Sequence, residues 1–433
     1  MKKIVIVGGG FGGINLAKKL AGSHALEVTL VDRNNYNFFP PLLYQVSTAF
    51  IELSSISYPF RKMFQGSHNI NFHLGSLIKV YPGDNTIETD NGILSYDYLV
   101  LGMGTETNFF GNKNVMEHAF PMKNIDEAIA LRNHILINME KADRTSDAKE
   151  QDKLRTIVIA GGGATGVEIA GMLAGMGSDI IAKDYPRLNK NGGKIYLIDG
   201  SPVLLGPMST KAQQEAYKVL KGLGVKIILN TLVKDYQNGV VTLSDGQAIE
   251  THSLIWASGV VAREVPGLPE AAISRGRRII VDGYNKVEGT ENIFAIGDQC
   301  LQTADAKYPN GHPQLAQIAI QQGTLLGTNF RNMIKGLPIK PFTYHDKGSM
   351  AIIAKHKAVV DLPKGFIKGY FAWLTWLLIH VVPIAGFRNK IKLSFSWFWS
   401  FLSNDPTLRL IIRPDKREQT AESSDETKSS TQL

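Results

Sequence analysis

The residues best suited to chemistry in this chain are two glycine loops, each tied by spacing to a carboxylate. Gly8-Gly9-Gly10-Phe11-Gly12-Gly13 follows the apolar run Ile4-Val5-Ile6-Val7, and Gly161-Gly162-Gly163-Ala164-Thr165-Gly166 follows Ile157-Val158-Ile159-Ala160. Each predicts a buried strand, a tight turn and the first turn of a helix, whose free N–H groups can hold a pyrophosphate. In each unit a second strand ends in an acid: Val28–Val31 runs into Asp32, and Ile195–Ile198 into Asp199. A carboxylate there can accept hydrogen bonds from the hydroxyls of an adenosine ribose. A single loop of this kind can be a ligand-free turn, and a single acid can be a strand-end turn residue. The repetition of the whole pattern predicts two bound dinucleotides. No arginine follows Asp199, where Gly200-Ser201-Pro202 comes instead, and this favours NADH over NADPH at the second loop.

Three further groups sit where they could reach those ligands. Glu168 lies at the start of the helix after the second loop and could place a carboxylate between the two ligands. The alternative is an acid placed for the helix dipole. Asp298 ends the strand-like Ile293-Phe294-Ala295-Ile296-Gly297, and a helix is predicted to follow from Pro313 to Met333. On it Gln317 and Gln321 are four apart and share a face, with Ala316 and Ala319 keeping the helix thin. Two amides could line a pocket for a carbonyl-bearing ring, or could simply face solvent.

The elements around these groups suggest several domains, since 433 residues exceed one ordinary core. Residues 1 to about 110 form one nucleotide-binding unit, in which the rhythm breaks from Asn34 to Phe64. There the proline-rich Phe38–Val46 predicts a fixed loop against something flat and apolar, either a flavin ring or a neighbouring domain. Residues 124–143 are predicted helical, Ala142 to Lys153 a charged linker, and 154 to about 259 a repeat of the first plan.

Composition removes other classes. Hydrophobic residues at 44% and charged residues at 20% belong to a globular chain. One cysteine, Cys300, leaves no intrachain disulfide, redox pair or thiolate cluster, and no metal site is expected. The net charge of +8 is concentrated late, at Arg388, Lys390, Lys392, Arg409, Arg413, Lys416 and Arg417. Four of the five tryptophans, Trp373, Trp376, Trp397 and Trp399, share that region, which favours a lipid surface over nucleic acid. His380 and Pro383 interrupt the apolar run, so attachment without crossing is expected, with a buried dimer interface as the alternative. The N-terminus enters the first strand with no secretory signal pattern, which predicts a cytosolic location; the tail 414–433 is predicted disordered.

With these residues in view the chain resembles the type II NADH dehydrogenases, single-subunit NADH:quinone oxidoreductases among the two-dinucleotide-binding-domain flavoproteins. The resemblance runs to about Arg413 and rests on Phe39-x-Pro41-Leu42-Leu43-Tyr44-Gln45-Val46, Gly161–Gly171 with Glu168, Ile296-Gly297-Asp298 and Ala316–Gly323. It implies an α/β fold of two Rossmann-like domains, an FAD domain (1–112 and 289–335) interrupted by an NADH domain (113–288, core 154–259), then a membrane-anchoring region (336–413). It implies that Gly8, Gly10, Gly13, Asp32 and Asp298 bind FAD, and that Gly161, Gly163, Gly166 and Asp199 bind NADH with Glu168 near the nicotinamide. Gln317 and Gln321 would flank the quinone head. Phe11, Gly12, Arg33, Thr48, Gly104, Ala316 and Gly259 complete the cofactor-binding candidates. Gly102-Met103-Gly104 departs from the family's Ala-Thr-Gly exit, and His380 stands where some members carry a lysine.

The implied activity is oxidation of NADH and reduction of membrane quinone through non-covalent FAD, by a homodimer on the cytoplasmic face of the membrane, bound through residues 366–413. Orientation and flavin tuning would be the protein's share, with no nucleophile. Disulfide reductases and sulfide:quinone oxidoreductases need thiols this chain lacks. A ferredoxin or rubredoxin reductase, or a low-turnover membrane flavoprotein sensor, are the alternatives.

Overall fold

The computed structural model describes residues 1–177, 182–188, 193–403 and 409–412. The expected disordered tail, with Arg413, Lys416 and Arg417, lies outside the described residues.

The first unit opens with β1 (Lys2–Val7), α1 (Phe11–Leu20), β2 (Leu26–Asp32), α2 (Leu43–Ser47), β3 (Ile70–Leu74) and β4 (Tyr98–Leu101). The second contains β5 (Phe120–Pro121), α3 (Ile125–Arg144), β6 (Ile157–Ala160), α4 (Ala164–Met176), β7 (Ile195–Ile198), α5 (Thr210–Gly222), β8 (Lys226–Ile228) and β9 (Ser253–Trp256). The chain then returns through β10 (Ile293–Ala295) and α6 (Ala316–Ile334). It ends on β11 (Ser349–Ala354), β12 (Lys357–Leu362), β13 (Gly365–Lys368), α7 (Gly369–Val381) and α8 (Phe387–Ser403).

Two five-stranded parallel sheets share the order of four strands and differ in the origin of the fifth, which comes last along the chain in the first sheet and first in the second. The first runs β10-β4-β1-β2-β3 and the second β5-β9-β6-β7-β8, every pairing parallel. Their central strands, β1 and β6, are buried from Ile4 and Ile157 onward, as sheets covered on both faces require. Because β10 pairs with β4, the first sheet is completed by residues beyond the second unit. An antiparallel sheet β11-β12-β13 forms a third layer against α4 and α7.

Three local expectations differ from the structure. Residues 148–155 of the charged stretch form a helix, because Asp147 accepts the N–H groups of Lys149 and Glu150 and Leu154 is buried. The helix expected from Pro313 starts at Ala316, since Leu315 is extended and serves as its N-cap. In the C-terminal region Trp373, Trp376 and Trp397 are buried, packed with Leu42, Leu43, Val46 and Val360. They are core residues, in one cluster with Phe39, Leu42, Leu43 and Val46 of the loop 38–46, whose helical part also packs on α3 and α4. The exposed apolar face is made instead by Phe371, Leu378, Val382, Phe387, Phe395, Phe398 and Trp399. Helix α7 stops two residues before Pro383. No helix among the described residues is long and apolar enough to cross a membrane.

Candidate active site

The two glycine loops are built to one plan. Gly8 and Gly161, both at positive φ, take their N–H bonds to Val31 O and Ile198 O, each at 2.8 Å. A Cβ on either would stand 2.3 Å from the carbonyl of the strand beside it, Gly102 in one case and Ala257 in the other. A Cβ on Gly13 or Gly166 would strike the oxygen of Gly8 at 1.9 Å or of Gly161 at 1.8 Å. Only glycine allows the loop to close this tightly on the helix that follows.

The third glycine of each loop has the opposite environment. Gly10 and Gly163 are the N-caps of α1 and α4, no side chain caps either helix, and a Cβ on either would meet nothing within 4 Å. Unsatisfied N–H groups thus open onto free space at both helix N-termini, which fits a phosphate in each.

Asp32 and Asp199 brace these loops. Asp32 accepts Gly9 N–H at 2.6 Å and Asn34 N–H at 2.8 Å; Asp199 accepts Gly162 N–H at 2.5 Å and Ser201 N–H at 2.6 Å. Each carboxylate oxygen retains a lone pair for a ribose hydroxyl. Burial pushes the Asp32 carboxyl up, opposed by its two amide donors and by the nearby Arg33 and Arg263.

The surroundings then diverge. Around the first loop, Phe60 fills the space beneath Gly9, and α6 crosses α1 so closely that a Cβ on Gly323 would lie 2.2 Å from Gly12 O. Phe11 meets Phe39 edge-on at 5.6 Å. Lys123 and Arg263, which sequence reasoning did not single out, face this loop from the second unit. Burial lowers the pKa of Lys123, against the pull of Asp298, and burial lowers that of Arg263 beside Arg33, Glu106 and Asp32. No local pattern marks them, for each is a single cation in a loop. Asp298 is likewise pushed up by burial and drawn down by Lys123 and Arg278.

Two glutamines also missed in the sequence hold the exit loops. Gln299 accepts Met103 N–H at 2.9 Å and donates to Arg263 O, fixing the Gly102–Gly104 turn, while buried Gln322 accepts Gly297 N–H at 2.7 Å. Gly104 has φ +69°, and its carbonyl accepts Arg263 N–H. Gly259 has φ +153° and lies against Phe110. Thr48 is buried with its hydroxyl given to Tyr44 O at 2.8 Å, and Arg33 is exposed. The first turn of α6, starting at Ala316, packs on Gly297, so its positive end stands beside Asp298.

Around the second loop, Ala164 and Thr165 are exposed. Glu168, one turn further along α4, is buried, and desolvation lifts its pKa to about 8 against one backbone hydrogen bond from Ile352. A carboxyl held largely protonated at neutral pH is costly, and such groups mark sites of function.

Gln317 and Gln321 do share a face of α6, yet neither amide is free to line a pocket. Gln317 donates to Gly348 O at 2.7 Å, and Gln321 donates to His345 O at 2.9 Å and accepts His345 N–H at 3.1 Å. Together they clasp residues 345–348, because an extended segment beside a helix offers backbone groups that need partners. His380 is half-buried, with desolvation taking its pKa to about 4 and its Nδ1 bonded to Trp376 O.

A family model for pyridine nucleotide-disulphide oxidoreductases matches residues 2–323. A type II NADH:quinone oxidoreductase of Mycobacterium tuberculosis is 33% identical over 417 residues, covering 92% of this chain and 87% of the relative. One of Haemophilus influenzae is 27% identical, covering 91% and 96%. The structure of NDH2 from Plasmodium falciparum in complex with NADH has the same fold, with a TM-score of 0.86 at 22% identity, covering 95% of this chain and all (100%) of that one. The chain therefore belongs to the pyridine nucleotide-disulphide oxidoreductases and, within them, to the type II NADH:quinone oxidoreductases.

Proposed function

We propose that this protein oxidises NADH and reduces quinone, with FAD at the first glycine loop and NADH at the second. The observation that carries this reading is the pair of matched loops, the first backed by α6 and Phe60 and the second more exposed, with Glu168, whose pKa is raised to about 8, beside the second. When bound, FAD supplies a ring that takes a hydride and gives up electrons to an acceptor.

The chain's own residues supply position and charge. The N–H groups around Gly10 and the cations Arg33, Lys123 and Arg263 hold the FAD pyrophosphate, and Asp32 its ribose. Asp298 meets the flavin side of this pocket, and the N-terminus of α6 at Ala316 favours negative charge on the flavin. Phe11, Gly12, Gly13, Thr48 and Gly104 shape that pocket. Gly161, Gly163, Gly166, Asp199 and Gly259 hold NADH, and Glu168 orients the nicotinamide, its proton keeping a second negative charge out of the cleft. Gln317 and Gln321 bound the quinone side through the segment they clasp. The exposed apolar face of α7 and α8, with Arg388 beside it, rests on the lipid surface of the cytoplasmic face, and the protein is a homodimer.

The test is spectroscopic. The purified protein is expected to be yellow, to bleach with NADH and to regain colour with a quinone, and to float with anionic vesicles. Protein that stays colourless after reconstitution with FAD, or whose colour ignores NADH, overturns the reading.

A further inference from the structure

At one exposed aromatic residue the chain departs from what its backbone prefers. In the turn Phe109–Asn112 the N–H of Asn112 bonds Phe109 O at 2.9 Å, with φ +52° at Phe110 and +77° at Gly111. Positive φ at both central residues is the demand of a type I′ turn, which glycine, asparagine and aspartate meet at least cost. Four of the nine non-glycine residues at positive φ among the described residues are accordingly asparagine, whereas a bulky side chain there is strained. Leu205, at φ +53°, offsets that strain by burial, being 1% exposed; Phe110 is 67% exposed. Neither turn preference nor core packing accounts for a phenyl ring at this position, and strain of this kind collects at functional sites.

The ring is pinned at the end of β9. Trp256 Nε1–H donates to Asn108 O at 2.8 Å, Asn108 N–H to Gly259 O at 3.1 Å, and Phe110 N–H to Asn108 Oδ1 at 2.8 Å. A Cβ on Gly259 would lie 3.2 Å from Phe110 Cζ, so the ring rests on the backbone there. The same exit borders the second glycine loop, for a Cβ on Gly161 would stand 2.3 Å from Ala257 O and 2.9 Å from Ser258 N. Sheet order then says which part of a ligand passes this point. Strand β6, which leads into that loop, lies between β7 and β9. Dinucleotides bind across the carboxyl ends of such strands. With Asp199 at the end of β7 on the adenosine ribose, the other half of the ligand extends over the end of β9, where Phe110 stands.

We propose that Phe110 is a binding residue for the nicotinamide half of NADH, its exposed ring forming a wall of the second site beside Gly259. The inference rests on the assignment of NADH to the second loop. An aromatic ring packed on a flat ligand ring gains beyond the area it buries, and a ring held by a hydrogen-bonded turn loses little freedom when the ligand arrives. The strained backbone is what the chain keeps in exchange for that contact.

The test is steady-state kinetics of the FAD-loaded holoenzyme with NADH and a soluble quinone. Phe110→Asn removes the ring and supplies a side chain the turn prefers, so Tm is expected to hold or rise. The KM for NADH is expected to rise about fivefold, the scale of one aromatic contact, with kcat and the KM for quinone unchanged. Phe110→Tyr keeps a ring and is expected to retain the wild-type KM. The inhibition constant of ADP-ribose, which lacks the nicotinamide, is expected to be the same in wild type and Phe110→Asn. An unchanged KM for NADH in Phe110→Asn overturns the inference. So does a Tm lowered by several degrees, which makes the ring structural, and so does an ADP-ribose constant that rises with the KM, which puts the ring on the adenosine half. Each of these leaves NADH at the second loop. A wild-type holoenzyme whose flavin is not bleached by NADH overturns that assignment and the inference with it.

Discussion

The two glycine loops are alike in backbone and unlike in what surrounds them. Each closes with the same carbonyl approaches, and each opens at its third glycine. The first is backed by α6 and Phe60, overlaid by Phe11 and Phe39, and ringed by Arg33, Lys123 and Arg263. The second leaves Ala164 and Thr165 exposed and has a protonated carboxyl one turn along its helix. A cradle backed by a helix and ringed by cations suits a group that stays through many turnovers, whereas a more exposed one suits a ligand that must leave after each. On the proposed assignment, one backbone motif is thus given two residence times by its surroundings.

Breaking either loop should have the largest effect. Gly13→Ala and Gly166→Ala each force a Cβ within 2 Å of a carbonyl oxygen, costing about 2–3 kcal/mol of stability by overpacking. Gly13→Ala is expected to purify colourless, and Gly166→Ala to keep its colour but lose bleaching by NADH, both read by visible absorbance. Gly10→Ala and Gly163→Ala separate binding from folding, because the added methyl enters open space. The melting temperature should hardly change, while Gly10→Ala loses flavin and Gly163→Ala raises the KM for NADH about tenfold. Loss of flavin from Gly163→Ala would dissolve the distinction between the two loops.

A smaller effect sharpens the electrostatic half of the contrast. Lys123→Met is expected to weaken FAD retention about tenfold, the worth of one charge-assisted hydrogen bond, with no change in KM for NADH. Dialysis followed by flavin fluorescence measures it. Smallest is a change in the slope of stability with pH. Glu168 has a folded pKa raised from 4.5 to about 8, so between those values the folded state holds a proton that the unfolded chain sheds. Its contribution is present below about pH 4.5 and is lost as pH rises through about 8. Glu168→Gln should flatten that decline, as measured by urea midpoints across the window.

What the sequence showed clearly was whatever local covalent geometry controls. The spacing of Gly8, Gly10 and Gly13, and the acid at the end of the second strand, follow from the reach of a short loop, and both reappear in the structure. The repeated strand, glycine turn, helix and strand also reappear in both units. Lys123, Arg263 and Gln299 were not visible, since they reach the first loop from a remote part of the chain and carry no periodic signature. Aromatic composition misled in one respect: Trp373, Trp376 and Trp397 pack under the loop at 38–46 and leave the outward face to phenylalanine, leucine and Trp399. Four-residue spacing placed Gln317 and Gln321 on one face correctly, but could not show that nearby main chain already occupies their amides.

The contact of Gly12 with Gly323 sets an order for biogenesis. The proposed flavin cradle is among the first stretches to emerge during translation, yet its rear wall is an α-helix made only after the inserted unit. The nascent chain therefore cannot lock its cofactor in place until the inserted unit has been synthesised. A message truncated before that helix would yield an amino-terminal fragment unable to keep a flavin, however well its strands pair.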